Sequence, residues 1–425
     1  MTSLEDIICR ETAGISSGAI GSQLRAIVLT GSMARGEATS IAEGGIVRVL
    51  GDAEFFLVFK DDAPFPSHNS LTELAGRLQA RLSEEKIRCA VELTPVNPEY
   101  FRRLQPTIFG CELRACGRVA WGDTSVLSLI PPFSPADIPR PDAWRLLLNR
   151  TIECLEVVPG LVQPGSDSAR DFSYRLTKLC LDLATSYLVF AGKFQPTYRA
   201  RTKLIQEMAE RDPVAASCPL DLRGFSRQLA RCTESKLGTG QPEAFQGTWV
   251  EAAGRVIEDV HRLWRWELIA LTGAPAASAD WELMDHWMRR QPPSARLRGW
   301  MVVVRECGWH RSWRNWPRWL GLGRQASPRH WIYALAGEIF FSLPNLPGFA
   351  LGGSSGEGEL PSDALSFGPL LQDTRNVENR SEWDRRNSAL PIVFQSPLRA
   401  VAPEWMKLAM NIAANYHAFV EHTEA

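Results

Sequence analysis

Two carboxylates, Asp52 and Glu54, stand two residues apart at the start of an apolar segment of the chain. Because successive side chains of a β-strand alternate between its faces, both carboxylates are expected on one face. Grouping two acids among apolar residues costs desolvation and repulsion, and a bound cation offsets both. Carboxylate oxygens are the ligands that Mg²⁺ (or Mn²⁺) prefers. Glu92, in a later apolar segment, is the candidate for a third ligand.

A glycine–serine turn precedes the two carboxylates. Gly31 and Ser32 follow an apolar segment and stand where a helix can begin. Backbone N–H groups of such a turn, with the serine hydroxyl, are suited to phosphate oxygens. Metal ions on the carboxylates would neutralise the same phosphates, so the two elements together predict metal-dependent transfer of a nucleotidyl group. In the alternative interpretation, Asp52 and Glu54 face water on an edge strand, and the turn binds nothing.

The elements that would position these residues form an α/β region over residues 1–130. Runs of β-branched and aromatic residues predict strands at 25–30, 52–59 and 87–95, and a short strand or hairpin arm at 45–51. Leucines three and four residues apart predict a helix over 70–86. Ser3 and Asp6 can cap a helix before the first strand, and a further helix is predicted over 33–39.

Three regions are predicted along the chain. A catalytic domain with a mixed sheet spans 1–130, and a proline-rich linker follows it. Apolar residues at helical spacing predict a helical bundle over 140–275. A Trp-rich helical extension covers 276–425 and contains a flexible loop around 343–369, where glycine, proline and serine are frequent.

Composition limits the partners and the compartment. The 425 residues carry a net charge of −1, so a nucleic-acid partner would require a local basic patch. The nine cysteines include no CxxC pair, which indicates reduced thiols rather than a zinc site or a disulfide framework. The acidic N-terminus and the lack of a long apolar run predict a cytoplasmic protein with no signal peptide and no transmembrane segment.

The catalytic region resembles a known family. Residues 31–37, followed by Asp52-x-Glu54 and the later Glu92, are similar to the nucleotidyltransferase domain of the DNA polymerase β superfamily. The similarity covers residues 20–125 and is greatest to minimal and aminoglycoside-type bacterial members. It implies that a nucleoside monophosphate passes from an NTP, ATP foremost, to an acceptor hydroxyl and that pyrophosphate is released.

The resemblance also implies roles for individual residues. Gly31, Ser32 and Arg35 would contact the nucleotide. Asp52, Glu54 and Glu92 would be the catalytic metal ligands, with Glu92 nearest the attacking hydroxyl. Many members carry a second aspartate where this chain has Glu54, and the distance from the turn to Asp52 implies an insertion near 41–49.

Lys178, in the helical region, is a further candidate for the nucleotide. Related transferases use a helical-domain lysine to contact the γ-phosphate. The alternative is a solvated helix face on which Lys178 pairs with Asp182 four residues later.

The acceptor does not follow from the sequence, although the near-neutral charge favours a small molecule or a protein over nucleic acid. A different function is also compatible with the motifs: a nucleotide-binding or catalytically degenerate module that acts by interaction, in a regulatory or toxin–antitoxin pair. Convergence of Asp52, Glu54 and Glu92 would favour the enzyme.

A segment of alternating tryptophans and arginines runs from Trp309 to Trp319. Such a pattern can stack on bases or sugars or lie at a membrane interface. The alternative is that the indoles pack in a core and the arginines extend to water. We predict this second arrangement for most of the indoles, and for Trp331 with them.

Overall fold

The computed structural model describes residues 3–161, 166–211, 218–238, 244–245, 249–307, 320–345 and 404–419. Two compact units are present. The first comprises Met1–Ala143, Ala184–Ala215 and Asp221–Ala244, and the second comprises Trp144–Leu183, Ala216–Leu220 and Phe245–Ala425. The segment Trp309–Trp319 lies outside the described residues, as does the predicted loop from residue 346 onwards.

A five-stranded mixed sheet forms the centre of the first unit. Its strands are β1 (Leu24–Leu29), β2 (Ser40–Glu43), β3 (Ile46–Phe59), β4 (Ile87–Val96) and β5 (Arg118–Gly122). Strand β3 pairs antiparallel with β1 and β2 and parallel with β4, and β5 pairs antiparallel with β1. An α/β region followed by helices is therefore confirmed.

The segments predicted as two strands, 45–51 and 52–59, form the single strand β3. The first half pairs with β2 as the arm of a hairpin, and this hairpin occupies the predicted insertion. The Leu50 N–H donates to the Thr39 carbonyl at 2.9 Å, and pairing of β3 with β4 resumes at Asp52, so the two segments form one strand. The 14-residue β3 can therefore contact β2 at one end and β1 at the other.

Helices cover both faces of the sheet. The helices between and beside these strands are α1 (Leu4–Ile20), α2 (Gly31–Ala34), α3 (His68–Glu84), α4 (Pro98–Arg102) and α5 (Ile108–Cys116). The capping box between Ser3 and Asp6 starts α1, as predicted. One core packs α1 and α3 on the face that carries Phe55 and Leu57. A second core packs α4 and α5 on the face that carries Phe56.

The remainder of the described chain is helical. Its helices are α6 (Arg140–Leu161), α7 (Ser166–Phe190), α8 (Tyr198–Arg211), α9 (Leu222–Leu237), α10 (Trp249–Thr272), α11 (Asp280–Arg289), α12 (Pro293–Cys307), α13 (Pro328–Ser342) and α14 (Glu404–Phe419). The first unit extends beyond the predicted catalytic domain, since it includes α8 and α9. Trp331 is buried in the second unit. None of the described helices is long and apolar enough to cross a membrane.

A close backbone approach at Gly122 leads to a stability prediction. Its φ is +87°, and a Cβ there would lie 2.3 Å from the Arg25 carbonyl oxygen. Backbone atoms cannot move away cheaply, so we expect Gly122→Ala to lower the free energy of unfolding by more than about 2 kcal/mol. The control is Gly76→Ala on α3, where a Cβ meets nothing within 4 Å and helix propensity improves. Urea unfolding measures both, and equal effects would refute the role of the close approach.

Candidate functional site

The three predicted carboxylates lie on one face of two neighbouring strands. Glu54 of β3 is the register partner of Glu92 on the parallel strand β4. Asp52 precedes Glu54 by two residues and therefore shares its face. Asp52 and Glu92 are exposed, whereas Glu54 is partly buried. We call these three residues the carboxylate face.

The carboxylate face begins where the second core ends. Phe56 and Val58 continue the same face of β3 and are buried beneath α4 and α5. A register shift between β3 and β4 directly precedes Asp52, because Arg48 pairs with Arg88 but Asp52 pairs with Ala90. Such bulges bend a strand and redirect its side chains. The irregularity therefore lies next to the first of the predicted ligands.

The glycine–serine turn lies directly against Glu54. The Thr30 N–H donates to the Glu54 carbonyl at 2.9 Å. Gly31 has a φ of +69°, and a Cβ on it would lie 2.5 Å from the Glu54 Oε1 atom. Only a glycine allows the carboxylate this close to the backbone of the turn. The two elements predicted from the sequence are therefore in contact.

The helix after the turn is shorter than the one predicted over 33–39, and that prediction was wrong. Helix α2 ends at Ala34. The Gly36 N–H donates to the Met33 carbonyl, and the Glu37 N–H donates to the Ser32 carbonyl. This pair of hydrogen bonds is a Schellman motif, which ends a helix. Ser32 is partly buried within the single turn.

The three carboxylates influence one another electrostatically. Burial, followed by the charges of Asp52 and Glu92, raises the pKa of Glu54 to about 7, and Arg35 opposes the rise. A buried carboxyl group beside two others resists ionisation. A bound cation would reverse this balance, because it attracts all three charges.

The chemistry of the carboxylate face fits a hard cation, since every donor is a carboxylate oxygen. Within the part of the chain that the structure describes, no group of three or more His, Cys, Asp or Glu side chains is assembled that could hold a metal ion. The Mg²⁺ site on Asp52, Glu54 and Glu92 stays a prediction.

Arg35 lies in an internal ion network beside the turn. Its Nε donates to Glu37 at 3.1 Å, and its Nη1 donates to Glu112 of α5 at 2.6 Å. The guanidinium also lies over the Tyr198 ring, 5.5 Å from the ring centroid. The arginine side chain is 9% exposed. These contacts orient the turn, and the contact of Arg35 with a nucleotide stays a prediction.

The network continues to α8 through the ion pair of Glu112 with Arg201, neither of which the sequence predicted as a site residue. Glu112 also accepts from Arg201, whose side chain is 2% exposed. Arg201 in addition donates to the Gln195 carbonyl at 2.6 Å and to the Thr185 hydroxyl at 2.9 Å. Glu37 accepts the Arg199 N–H in the first turn of α8. The glycine–serine turn is thus joined to α5 and to α8.

Lys178 belongs to the second unit, where it pairs with Glu153 rather than standing alone on a solvated face. The distance from Lys178 Nζ to Glu153 Oε2 is 3.3 Å, and Arg150 and Arg175 also bind Glu153. Asp182, the expected partner of Lys178, accepts from Arg150 at 2.7 Å. Burial lowers the pKa of Lys178. Its contact with the γ-phosphate stays a prediction.

Comparison with known proteins gives no match: no family model fits the sequence, and no curated protein and no solved structure is significantly similar to the chain. The turn and the carboxylate face are therefore the features from which a function is inferred.

The raised pKa of Glu54 predicts a pH-dependent cost in the metal-free protein. Since the folded-state pKa of about 7 lies above the usual 4.5, stability falls as the pH rises through this interval. We expect Glu54→Gln to remove the fall and to be about 1 to 3 kcal/mol more stable than wild type at pH 8, with little difference at pH 4. Urea unfolding in EDTA measures this, and exposed Glu73→Gln is the control. A wild-type profile for Glu54→Gln would contradict the expectation.

Because Glu112 binds two arginines in a buried network, we expect Glu112→Gln to lower the free energy of unfolding strongly. Removing its charge leaves Arg201 buried without a counterion, which typically costs about 3 to 5 kcal/mol. Glu99 offers a matched control, because it also binds two arginines, Arg102 and Arg103, but does so on the surface. We expect Glu99→Gln to leave the unfolding midpoint nearly unchanged. Similar midpoints for the two variants would show that the network does not stabilise the unit.

Proposed function

We propose that this chain is a metal-dependent nucleotidyltransferase that moves a nucleoside monophosphate from an NTP to an acceptor hydroxyl and releases pyrophosphate. The observation that supports this most is the contact between Glu54 and the backbone of Gly31. It brings a carboxylate suited to a cation next to a turn suited to phosphates, as transfer from a triphosphate requires.

The residues of the proposed site divide into three roles: cation binding, service of the acceptor and phosphate binding. Asp52 and Glu54 would hold the cation, and Glu92 would serve the acceptor hydroxyl from the neighbouring strand. When bound, the cation would neutralise charge on the triphosphate and on the departing pyrophosphate. The backbone of Gly31 and the Ser32 hydroxyl would bind the phosphate oxygens.

The ion network around Arg35 would contribute to catalysis by holding the glycine–serine turn in place. Phosphoryl-group chemistry depends mainly on orientation and charge neutralisation, so a turn that moves loses both. Glu37 and Glu112 hold Arg35 at the end of the turn, and α8 holds both glutamates in place. The turn therefore needs little rearrangement when a triphosphate binds, which favours catalysis.

ATP is the proposed donor, and a small molecule or a protein is the proposed acceptor. The net charge of −1 supports this choice over nucleic acid. A second candidate is a module that binds nucleotide without turnover. It is favoured by one observation: within the described residues, no metal-binding group of three side chains is assembled.

Turnover separates the two candidates. The purified chain is incubated with Mg²⁺, each α-labelled NTP and a cell lysate, and labelled small molecules, protein and RNA are sought. We expect label transfer and pyrophosphate release with the wild type. We expect Asp52→Asn to reduce the rate at least about 100-fold, since a lost ligand worth about 3 kcal/mol has that effect.

Asp61→Asn is the control, since Asp61 is an exposed acid just beyond the end of β3. Its rate should equal that of the wild type. Nucleotide binding by calorimetry is measured in parallel. Binding without label transfer would favour the module, and undiminished transfer by Asp52→Asn would overturn the proposed site.

A further inference from the structure

Helix α12 of the second unit exposes an apolar pair to water. Leu297 is 64% exposed and Met301 is 62% exposed, more than any other large apolar side chain among the described residues. Residues four apart are neighbours on a helix surface, so the two form one patch. The rest of the helix is packed, because Val303 on the opposite side and Trp300 on the side next to Leu297 are buried. The exposure of Leu297 and Met301 therefore belongs to a helix that is otherwise held in a core.

Arginines accompany this patch. Arg298 and Arg305 are exposed on α12, and helical spacing places them beside Met301. We call Leu297, Arg298, Met301 and Arg305 the α12 face. The apolar pair is thus bordered by cations on one side, and exposed aliphatic side chains next to cations are suited to the boundary between lipid headgroups and acyl chains.

The sequence on either side of the α12 face is also positively charged. Residues 287–330 contain ten arginines and a single acid, Glu306, in a chain whose net charge is −1. Arg289 forms an ion pair with Asp285 at 2.6 Å. Carbonyl oxygens rather than acids accept from Arg290 and Arg296, so the contacts of these two arginines leave the positive charge in place. Arg324 is exposed as well. The region therefore carries a positive charge that an anionic surface would complement.

We propose that the α12 face binds the surface of a membrane rich in anionic phospholipids. The two aliphatic side chains would enter the boundary between headgroups and acyl chains, and the arginines would attract the lipid phosphates and carboxylates. Binding would be peripheral, since no described helix is long and apolar enough to span a bilayer. This inference does not depend on the proposed nucleotidyl transfer.

The apolar residues favour lipid over nucleic acid as the partner. Recognition of single strands uses aromatic rings on which bases stack. The aromatic residue of α12, Trp300, is buried and donates its indole N–H to the Ala326 carbonyl at 3.0 Å. Exposed leucine and methionine give no such stacking, but they gain by leaving water for hydrocarbon.

Vesicle cosedimentation of the full chain tests the proposal. We expect binding to phosphatidylserine-containing vesicles, weaker binding to phosphatidylcholine alone, and a decrease with added salt. The double variant Leu297→Glu with Met301→Glu should lose at least about tenfold in affinity for the anionic vesicles. Arg298→Glu should lose at least about fivefold, since each basic residue near the surface contributes roughly that factor.

Matched controls come from other parts of the surface. Phe65→Glu replaces a 50% exposed apolar residue of the first unit, and Arg223→Glu replaces an exposed arginine of α9. Both should bind as the wild type does. Circular dichroism melting confirms that each variant is folded, which the exposure of the replaced side chains leads us to expect.

Three outcomes would overturn the proposal. One is a wild-type chain that does not sediment with anionic vesicles. Another is binding by the α12 variants that equals that of the controls. The third is displacement of the chain from vesicles by single-stranded RNA with affinity lost in the same variants, which would assign the α12 face to nucleic acid instead.

Discussion

The contact between the Glu54 carboxylate and the Gly31 backbone is the constraint on which the rest of the candidate site depends. A side chain on residue 31 would occupy the position of the carboxylate, so the two positions cannot vary independently. The backbone of Glu54 contacts the same turn, because the Thr30 N–H donates to the Glu54 carbonyl directly after the last paired residue of β1. Pairing of β1 with β3 and packing of the turn are therefore parts of one arrangement.

The sequence predicted the elements whose signals are local. Leucine spacing identified α3, a capping pair identified the start of α1, and apolar runs identified β1 and β4. The same signals misplaced the end of α2, since the hydrogen bonds that end it come from Gly36 and Glu37, which lie beyond its last residue. They also divided β3 at Gly51, although the strand runs from Ile46 to Phe59 and pairs with β2 before Gly51 and with β1 and β4 after it.

The residues that support the site had no comparable signal. Glu112 and Arg201 are 89 positions apart, and neither stands in a motif. Ion pairs between distant elements depend on how the chain folds back, which periodicity does not encode. The carboxylates differ, because acids within an apolar strand are unusual enough to be noticed without a structure. The position of the three carboxylates on one face was therefore predictable, whereas the ion network beside them was not.

The first unit is discontinuous along the chain, because α8 and α9 return to it after residues 144–183 have joined the other unit. A fragment ending near residue 130 would retain the turn and the carboxylate face but would lack Arg201 and Lys236, whose ammonium group donates to the Thr39 hydroxyl. Such a segment could not be transferred to another protein as an independently stable domain. During synthesis, moreover, the turn could gain its final support only after the ribosome has delivered α8, so the site would mature late although its motif is made first.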